Sequence, residues 1–104
     1  MIKKYSLKIT ASARRDIEVI WDYISPDNPA NAICFIDEIE KKINTLKTLP
    51  ERNPVIPESS YFPIDAYRHL IYKDYRIVYR IQSGTVLVLR ILHGSKLLDL
   101  FSLD

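Results

Sequence analysis

Residues 75–94, which read YRIVYRIQSGTVLVLRILHG, decide the fold. Apolar side chains alternate with other residues on both sides of Ser83-Gly84, and this pattern predicts two strands joined by a two-residue turn. The turn pairs residue 82 with residue 85, and regular pairing from there makes residue 76 the neighbour of residue 91. The hairpin is expected to form the centre of a sheet.

This register assigns the hairpin residues to two faces. The face with more aromatic and aliphatic side chains is predicted to pack on helices, and it carries Tyr75, Ile77, Tyr79, Ile81, Val86, Val88, Arg90 and Leu92. The opposite face, called the open face below, carries Arg76, Val78, Arg80, Leu87, Leu89, Ile91 and His93. Since successive side chains of a strand point to opposite faces, a slip of one residue would exchange the two sets.

Arg90 is thereby placed toward the helices, where an unpaired charge is costly. We therefore predict a structural ion pair between Arg90 and a carboxylate of the first helix, with Asp16 and Glu18 as the candidates. A functional role for Arg90 is the alternative.

The open face combines large aliphatic side chains with cations, and without a cover it would expose an apolar patch of the kind that marks a partner site. Between residues 66 and 96 the chain has six Lys or Arg and one Asp, which favours an acidic peptide or a polyanion as the partner. Ordinary solvated surface charge is the alternative. The predicted partner contacts are Arg76, Arg80, Leu87, Leu89, Ile91 and His93. The tail, with Leu97, Leu98, Leu100 and Phe101, could cover part of this face.

The face occupied by Arg68 depends on the turn at Lys73-Asp74. A two-residue turn places Arg68 on the helix side of the sheet. A three-residue turn with a bulge places Arg68 beside Arg76 on the open face instead. Both arrangements fit the sequence.

The segments before the hairpin complete an α+β pattern. Residues 3–9 alternate between apolar and polar side chains, as in a strand. Apolar residues at helical spacing follow up to Pro26, which ends the first helix. These residues are Ala13, Ile17, Ile20, Trp21 and Ile24, and we assign Trp21 a structural role. Asn28-Pro29 suits the start of a second helix over 29–48, before a proline-rich loop over 50–65 and strands at about 66–72, 75–82 and 85–93. The order β-αα-βββ predicts a single domain over 1–104, an N-terminal helical hairpin packed on one face of a mainly antiparallel four-stranded sheet.

Composition narrows the class of protein. Apolar residues make up 47% and charged residues 27% of the 104 residues, which suits a packed domain. The single cysteine, Cys34, excludes an internal disulfide, and no segment approaches the roughly 20 apolar residues of a membrane span. We expect a soluble, cytoplasmic protein without a cofactor or metal, because the sequence has no metal-ligand cluster and no glycine-rich phosphate loop.

Short motifs spread over nearly the whole chain resemble one family in their order and spacing. They are Ala13 with Asp16-Ile17 and Ile20-Trp21, Asp27-Asn28-Pro29, Phe35 with Ile39, Leu49-Pro50, Tyr67-Arg68, the run from Tyr75 to Arg80, and Leu92-His93-Gly94. The chain resembles the RelE/ParE superfamily of type II toxin–antitoxin toxins, and looks most like its ParE branch.

The resemblance implies a bacterial growth inhibitor that is inactive when a cognate antitoxin wraps it with an extended or helical, often acidic segment. ParE-branch toxins poison DNA gyrase without being nucleases, whereas RelE-branch toxins cut messenger RNA in the ribosomal A site. We interpret the chain as ParE-like and non-enzymatic. The alternatives are a ribosome-dependent mRNA endonuclease and a degenerate member that binds an antitoxin without toxicity.

For the nuclease alternative, the RelE-branch pattern implies basic residues at Arg68, Arg76 and Lys96, and His93 could serve as an acid or base. The set is incomplete, because Leu70 stands where the pattern has a second lysine and the late aromatic residue of the pattern is missing. The resemblance therefore implies these catalytic residues only if the protein is a nuclease.

Overall fold

The computed structural model describes residues 3–60 and 67–94, and the predictions for Lys96 and for the tail lie outside these residues. Its elements are β1 (Ser6–Ile9), α1 (Ala11–Ile24), α2 (Pro29–Asn44), β2 (Tyr67–Tyr72), β3 (Tyr75–Gln82) and β4 (Thr85–His93). The sheet order is β1-β4-β3-β2, with β1 parallel to β4 and the other pairs antiparallel. The predicted α+β arrangement, two helices on a mainly antiparallel sheet of four strands, is confirmed.

Side chains just before each helix satisfy its free backbone donors. The Thr10 hydroxyl accepts a hydrogen bond from the backbone N–H of Ala13 at 3.2 Å, and the Asn28 side chain accepts one from the N–H of Asn31 at 3.0 Å. α2 ends at Asn44, earlier than the predicted residue 48, because the chain tightens there into a 3-10 turn over Thr45–Lys47. Local sequence therefore defines where both helices start.

The main core lies between the helical hairpin and one face of the sheet. Its buried residues are Ala13, Ile20, Ile39, Ile43, Leu46, Ile77, Tyr79, Val86, Val88 and Ile91. Trp21 does not belong to it, because its side chain is 37% exposed and lies in a shallow cleft with Ile17 and Ile36. Trp21 was predicted to share the stripe of Ala13 and Ile20, but those two residues fill the core side of α1 and Trp21 falls on its flank. Its structural role stays a prediction.

A β-bulge corrects the predicted register of the hairpin. Gln82 pairs with Thr85 as predicted, but the register shifts between Val78 and Tyr79, and Arg76 pairs with Leu92 instead of Ile91. Leu89 is the extra residue on β4, since Val88 pairs with Tyr79 and Arg90 pairs with Val78. An extra residue exchanges the faces of everything beyond it.

The predicted faces of four residues are overturned by this bulge. Ile91 and His93 were predicted on the open face, yet Ile91 pairs with Ile77 in the helix-side core and His93 pairs with Tyr75. Arg90 and Leu92 move the other way, onto the side of Val78. The bulge lies where β1 has stopped pairing with β4 and α1 begins to cover the freed edge.

Both hairpin turns have two residues. Ser83 and Gly84 have φ angles of 50° and 75°, the left-handed pair that a type I′ turn requires. At the other turn Tyr72 pairs with Tyr75, which places Arg68 opposite Tyr79 on the helix side. The two-residue alternative for Arg68 is therefore the one that the structure adopts.

Candidate interaction surfaces on the two sides of the sheet

Part of the open face is covered by residues 54–58, which we call the strap. Its backbone lies along β2 as a short additional strand: the N–H of Ile56 donates to the carbonyl of Tyr67 at 3.1 Å, and the N–H of His69 donates to the carbonyl of Pro54 at 3.2 Å. The Ile56 side chain is 2% exposed and forms a second, small core with Val78, Leu92 and Tyr67. The strap thus closes the half of the open face near the end of β4.

Under the strap lies a buried ionic cluster. Arg76 and Glu58 are 4% and 6% exposed, and the guanidinium donates to both carboxylate oxygens, one of them at 3.0 Å. The same guanidinium lies 3.3 Å from Nδ1 of His69. Burial and then the Arg76 charge lower the pKa of His69, and Glu58 opposes this shift. Arg76 lies on the open face as predicted, but the strap withdraws it from solvent.

The sequence had no signal that singled out Glu58 or His69. Glu58 lies in the proline-rich loop, where an acid is ordinarily solvated, and only its distance from Arg76 in the folded chain gives it a role. The alternation of residues 67–72 does place His69 on the face of Arg76 once the turn length is known. The position of His69 could therefore have been inferred from the sequence, but the position of Glu58 could not.

The other half of the open face presents a row of side chains that crosses all four strands. The strand register makes Lys8 the neighbour of Leu87, Leu87 the neighbour of Arg80, and Arg80 the neighbour of Tyr67. The guanidinium carbon of Arg80 lies 6.0 Å from the centre of the Tyr67 ring, and Arg80 also donates to Oε1 of Gln82 at 3.0 Å. We call Lys8, Leu87, Arg80 and Tyr67 the cross-strand row. Lys8 is exposed and the other three side chains are half-buried, so the row presents both apolar surface and positive charge.

The predicted ion pair of Arg90 forms with Asp16 and not with Glu18. The Asp16 carboxylate accepts two hydrogen bonds from the Arg90 guanidinium, at 2.8 and 3.0 Å, and a third from the backbone N–H of Ile91 at 2.8 Å. Because it binds a backbone donor of β4, the carboxylate lies at the strand edge that β1 leaves free. The side chains of Arg90 and Asp16 are 15% and 14% exposed, so this contact fastens α1 to the sheet.

Arg68 is held in a structural network near the start of β2. Its guanidinium donates to the carbonyls of Glu51 at 3.1 Å and Asn53 at 2.6 Å. The neighbouring Tyr79 hydroxyl donates to the carbonyl of Pro50 and accepts a hydrogen bond from the side-chain amide of Asn53 at 3.1 Å, and burial raises its pKa. These bonds fix the loop after α2 against the sheet.

The residues that the resemblance offers for RNA cleavage are not brought together within the described part of the chain. Arg68 binds loop carbonyls on the helix side, and Arg76 is enclosed with Glu58 on the open face. His93 is exposed, lies on the helix side and contacts the ring of Tyr75 edge-on, with the ring centres 5.5 Å apart. The fourth residue, Lys96, lies outside the described residues.

Two of the remaining predicted partner contacts also change. Leu89 is 2% exposed and Ile91 is 3% exposed, so neither offers surface to a partner in this conformation. The bulge is the physical cause for Ile91, because it turns that side chain into the core. Arg80 and Leu87 keep an open position in the cross-strand row, and their role as partner contacts stays a prediction.

A groove on the helix side was not predicted. It lies between α1 and the end of β4, has a volume of about 570 Å³, and is lined mainly by Val19, Ile20, Tyr23, Phe35, Tyr75 and His93. The sequence did carry a signal for it, since Val19 and Tyr23 are four residues apart and lie off the core stripe. A second apolar edge on a helix often marks a contact beyond the core.

In residues 3–60 and 67–94, no group of three or more His, Cys, Asp or Glu side chains is arranged to hold a metal ion. Neither of the described helices is long and apolar enough to cross a membrane. Cys34 is an exposed free thiol on α2.

The fold has counterparts among solved toxin–antitoxin structures. A chain of the chromosomal ParDE system from P. aeruginosa matches with a TM-score of 0.73 and 21% identity, over 88% of this chain and 97% of that one. A chain of the RelBE2 toxin–antitoxin complex from Mycobacterium tuberculosis matches with a TM-score of 0.60 and 23% identity, over 86% and 98% of the two chains. At these identities the likeness shows the fold.

Sequence comparison identifies the family. No curated protein matches the chain, but residues 7–98 match the family described as the ParE toxin of the type II toxin–antitoxin system parDE. Because the match covers most of the chain and agrees with the observed fold, the protein belongs to the ParE toxin family of type II toxin–antitoxin systems.

Proposed function

We propose that this toxin arrests growth by binding DNA gyrase through a protein–protein contact, without cutting RNA. The observation that carries the proposal is the separation of Arg68, Arg76 and His93, which lie at three different places on the two sides of the sheet. Cleavage by a ribose 2′-hydroxyl needs a base, an acid and a phosphate-binding cation within contact of one another. The separated residues do not meet that requirement.

Growth arrest in cells distinguishes the two actions. The toxin is expressed without antitoxin, and the incorporation of labelled thymidine and labelled methionine is followed together with the 5′ ends of abundant messages. A gyrase poison stops DNA synthesis first and leaves messages intact. Messages cut at codon-spaced positions, with DNA synthesis continuing at first, would overturn the proposal in favour of the ribosome-dependent nuclease.

We further propose that a cognate antitoxin binds the cross-strand row with an acidic, partly apolar segment. Lys8 and Arg80 supply positive charge, while Leu87 and Tyr67 supply the apolar surface that such a segment would cover. Opposite charge at an interface speeds association and selects the partner.

The antitoxin proposal is tested with the product of the neighbouring reading frame. Reversing two charges at the row, Lys8→Glu with Arg80→Glu, is expected to weaken the complex at least tenfold, about 1.4 kcal/mol. Lys41→Glu with Lys42→Glu on α2 makes the same change in net charge on the helix side of the sheet, away from the row, and it serves as the control. Equal weakening by both pairs would show a net-charge effect and would remove the row from the interface.

A specific observation supports RNA cleavage as the second candidate function. On the open face the Arg76 guanidinium contacts both the carboxylate of Glu58 and the imidazole of His69. A general base, a general acid and a phosphate-binding cation are the groups that such a reaction uses. Glu58 is itself part of the strap and the cluster is buried, so a substrate reaches it only if the rest of the strap opens while Glu58 stays beside Arg76. Glu58→Gln removes the base: loss of message cutting with unchanged folding would support this candidate, and unchanged growth arrest would reject it.

A further inference from the structure

The second half of α1 exposes an unusual share of apolar surface. Val19 is 60% exposed, Trp21 is 37% exposed and Tyr23 is 80% exposed. They are half of the six large hydrophobic side chains exposed among the residues that the structure describes. Aromatic side chains at a surface are enriched in the parts of protein interfaces that contribute most binding energy.

The groove between α1 and β4 lies directly beside two of these side chains. Val19 and Tyr23 line one wall, and the rings of Phe35 and Tyr75, packed edge to face with centres 5.5 Å apart, lie within it. A volume of about 570 Å³ is enough for one or two large side chains of a partner segment. Apolar surface is therefore present both on the exposed side of α1 and inside the groove beside it.

The charge of this region is negative. From Asp16 to Asn28 the chain has four carboxylates and no Lys or Arg; Arg90 pairs with Asp16, which leaves Glu18, Asp22 and Asp27. The last turn of α1 has no basic residue, so the partial negative charge of the helix C-terminus adds to theirs. On the far wall Asp74 is exposed, and Lys73 lies over the rings of Phe35 and Tyr72.

We propose that the second half of α1 and its groove dock a basic, apolar segment of a partner protein. An aliphatic or aromatic side chain of the segment enters the groove beside Val19 and Tyr23, and Lys or Arg side chains lie over Glu18 and Asp22. This α1 surface is opposite in polarity to the cross-strand row, which is on the other side of the sheet. The toxin thereby offers separate surfaces to an acidic and to a basic partner.

Two peptides of about 18 residues, five helical turns, serve as probes on the whole protein. One has Lys and Leu in amphipathic helical order, and the other has Glu in place of every Lys. Fluorescence anisotropy measures their affinities, and methyl NMR reports whether the signals of Val19 shift. The Lys–Leu peptide is expected to bind and to shift Val19, and the Glu–Leu peptide is expected to bind at least tenfold more weakly.

Matched variants locate the binding. Tyr23→Ser and Asp22→Lys are each expected to lower the affinity for the Lys–Leu peptide about tenfold, which is the effect of removing a moderate interface contact. The controls are Ile33→Ser and Glu40→Lys, and they are expected to leave the affinity for the peptide unchanged. Both positions are exposed on α2, and the Ile33 side chain is 56% exposed. All four positions are exposed, so the variants are expected to fold.

Several outcomes would overturn the proposal. They are equal binding of both peptides, equal effects of the control variants, and unshifted Val19 methyls. A wild-type dimer that Tyr23→Ser dissociates would assign the surface to a second copy, and loss of the antitoxin complex in Tyr23→Ser would assign it to the antitoxin. None of these measurements involves gyrase, so this proposal can fail while the proposed function stands.

Discussion

Removing the Asp16 carboxylate should be among the most damaging single changes to this fold. Asp16→Ala leaves the Arg90 guanidinium, 15% exposed, without that carboxylate, and it leaves the N–H of Ile91 without its acceptor. Breaking a buried ion pair from one side costs about 3 to 5 kcal/mol, and an unsatisfied buried donor costs about 1 to 3 kcal/mol. Since water reaches this edge in part, we expect a total loss of about 4 kcal/mol.

Urea unfolding followed by circular dichroism measures this loss. A loss of about 4 kcal/mol corresponds to a melting temperature lower by about 20 °C in a domain of this size. Asp16→Asn keeps an acceptor for the N–H of Ile91 and should lose about half as much. Glu18→Ala removes an exposed carboxylate of the same helix and should change stability by less than about 0.5 kcal/mol.

A double variant tests the cause. Asp16→Ala combined with Arg90→Met also removes the largely buried guanidinium that has lost this carboxylate, so it should be more stable than Asp16→Ala alone. If the free energies of unfolding of Asp16→Ala and Glu18→Ala differ by less than about 1 kcal/mol, the Asp16–Arg90 contact does not fasten α1 to the sheet.

Three further predictions concern the strap and the hairpin turn. Glu58→Ala should cost about 3 to 5 kcal/mol in urea unfolding, and Glu58→Leu with Arg76→Met should recover most of it; a loss below about 1 kcal/mol would contradict a buried pair. The pKa of His69 is lowered in the folded protein, so at mildly acidic pH the folded protein binds fewer protons at this site than the unfolded chain does. The free energy of unfolding should therefore fall as the pH drops below about 6.5, and His69→Gln should make it depend less on pH. Ser83→Asn should stabilise the type I′ turn by about 0.5 kcal/mol and Gly84→Ala should weaken it by about 1 kcal/mol, since both positions have positive φ; the reverse order would contradict the turn type.

The architecture could be predicted from the sequence because each element carries a local signal. Asn28 and Pro29 define the start of α2, Ser83 and Gly84 define the central turn, and the apolar periods distinguish helices from strands. The ion pair of Arg90 could also be anticipated, because a charge among large apolar neighbours requires a partner. These inferences depend on residues close in sequence or on a general rule about buried charge.

The details of the surfaces could not be predicted, because one residue controls them. Leu89 is as apolar as its neighbours, so nothing in the alternation marks it as the extra residue of a bulge. Its insertion moves Ile91 into the core and brings Leu92 under Ile56. The strap was equally hidden, since the contact between Glu58 and Arg76 depends on how a proline-rich loop returns to the sheet.

Purified components show whether this ParE-family toxin acts on gyrase, as we propose, or on RNA. Toxin freed of its antitoxin is added to DNA gyrase and relaxed plasmid, and in parallel to a coupled translation extract. We expect supercoiling to stop and cleaved gyrase–DNA complexes to accumulate, and we expect added antitoxin to reverse both effects. Messages in the extract should stay intact. Cut messages at toxin concentrations that leave supercoiling untouched would contradict it.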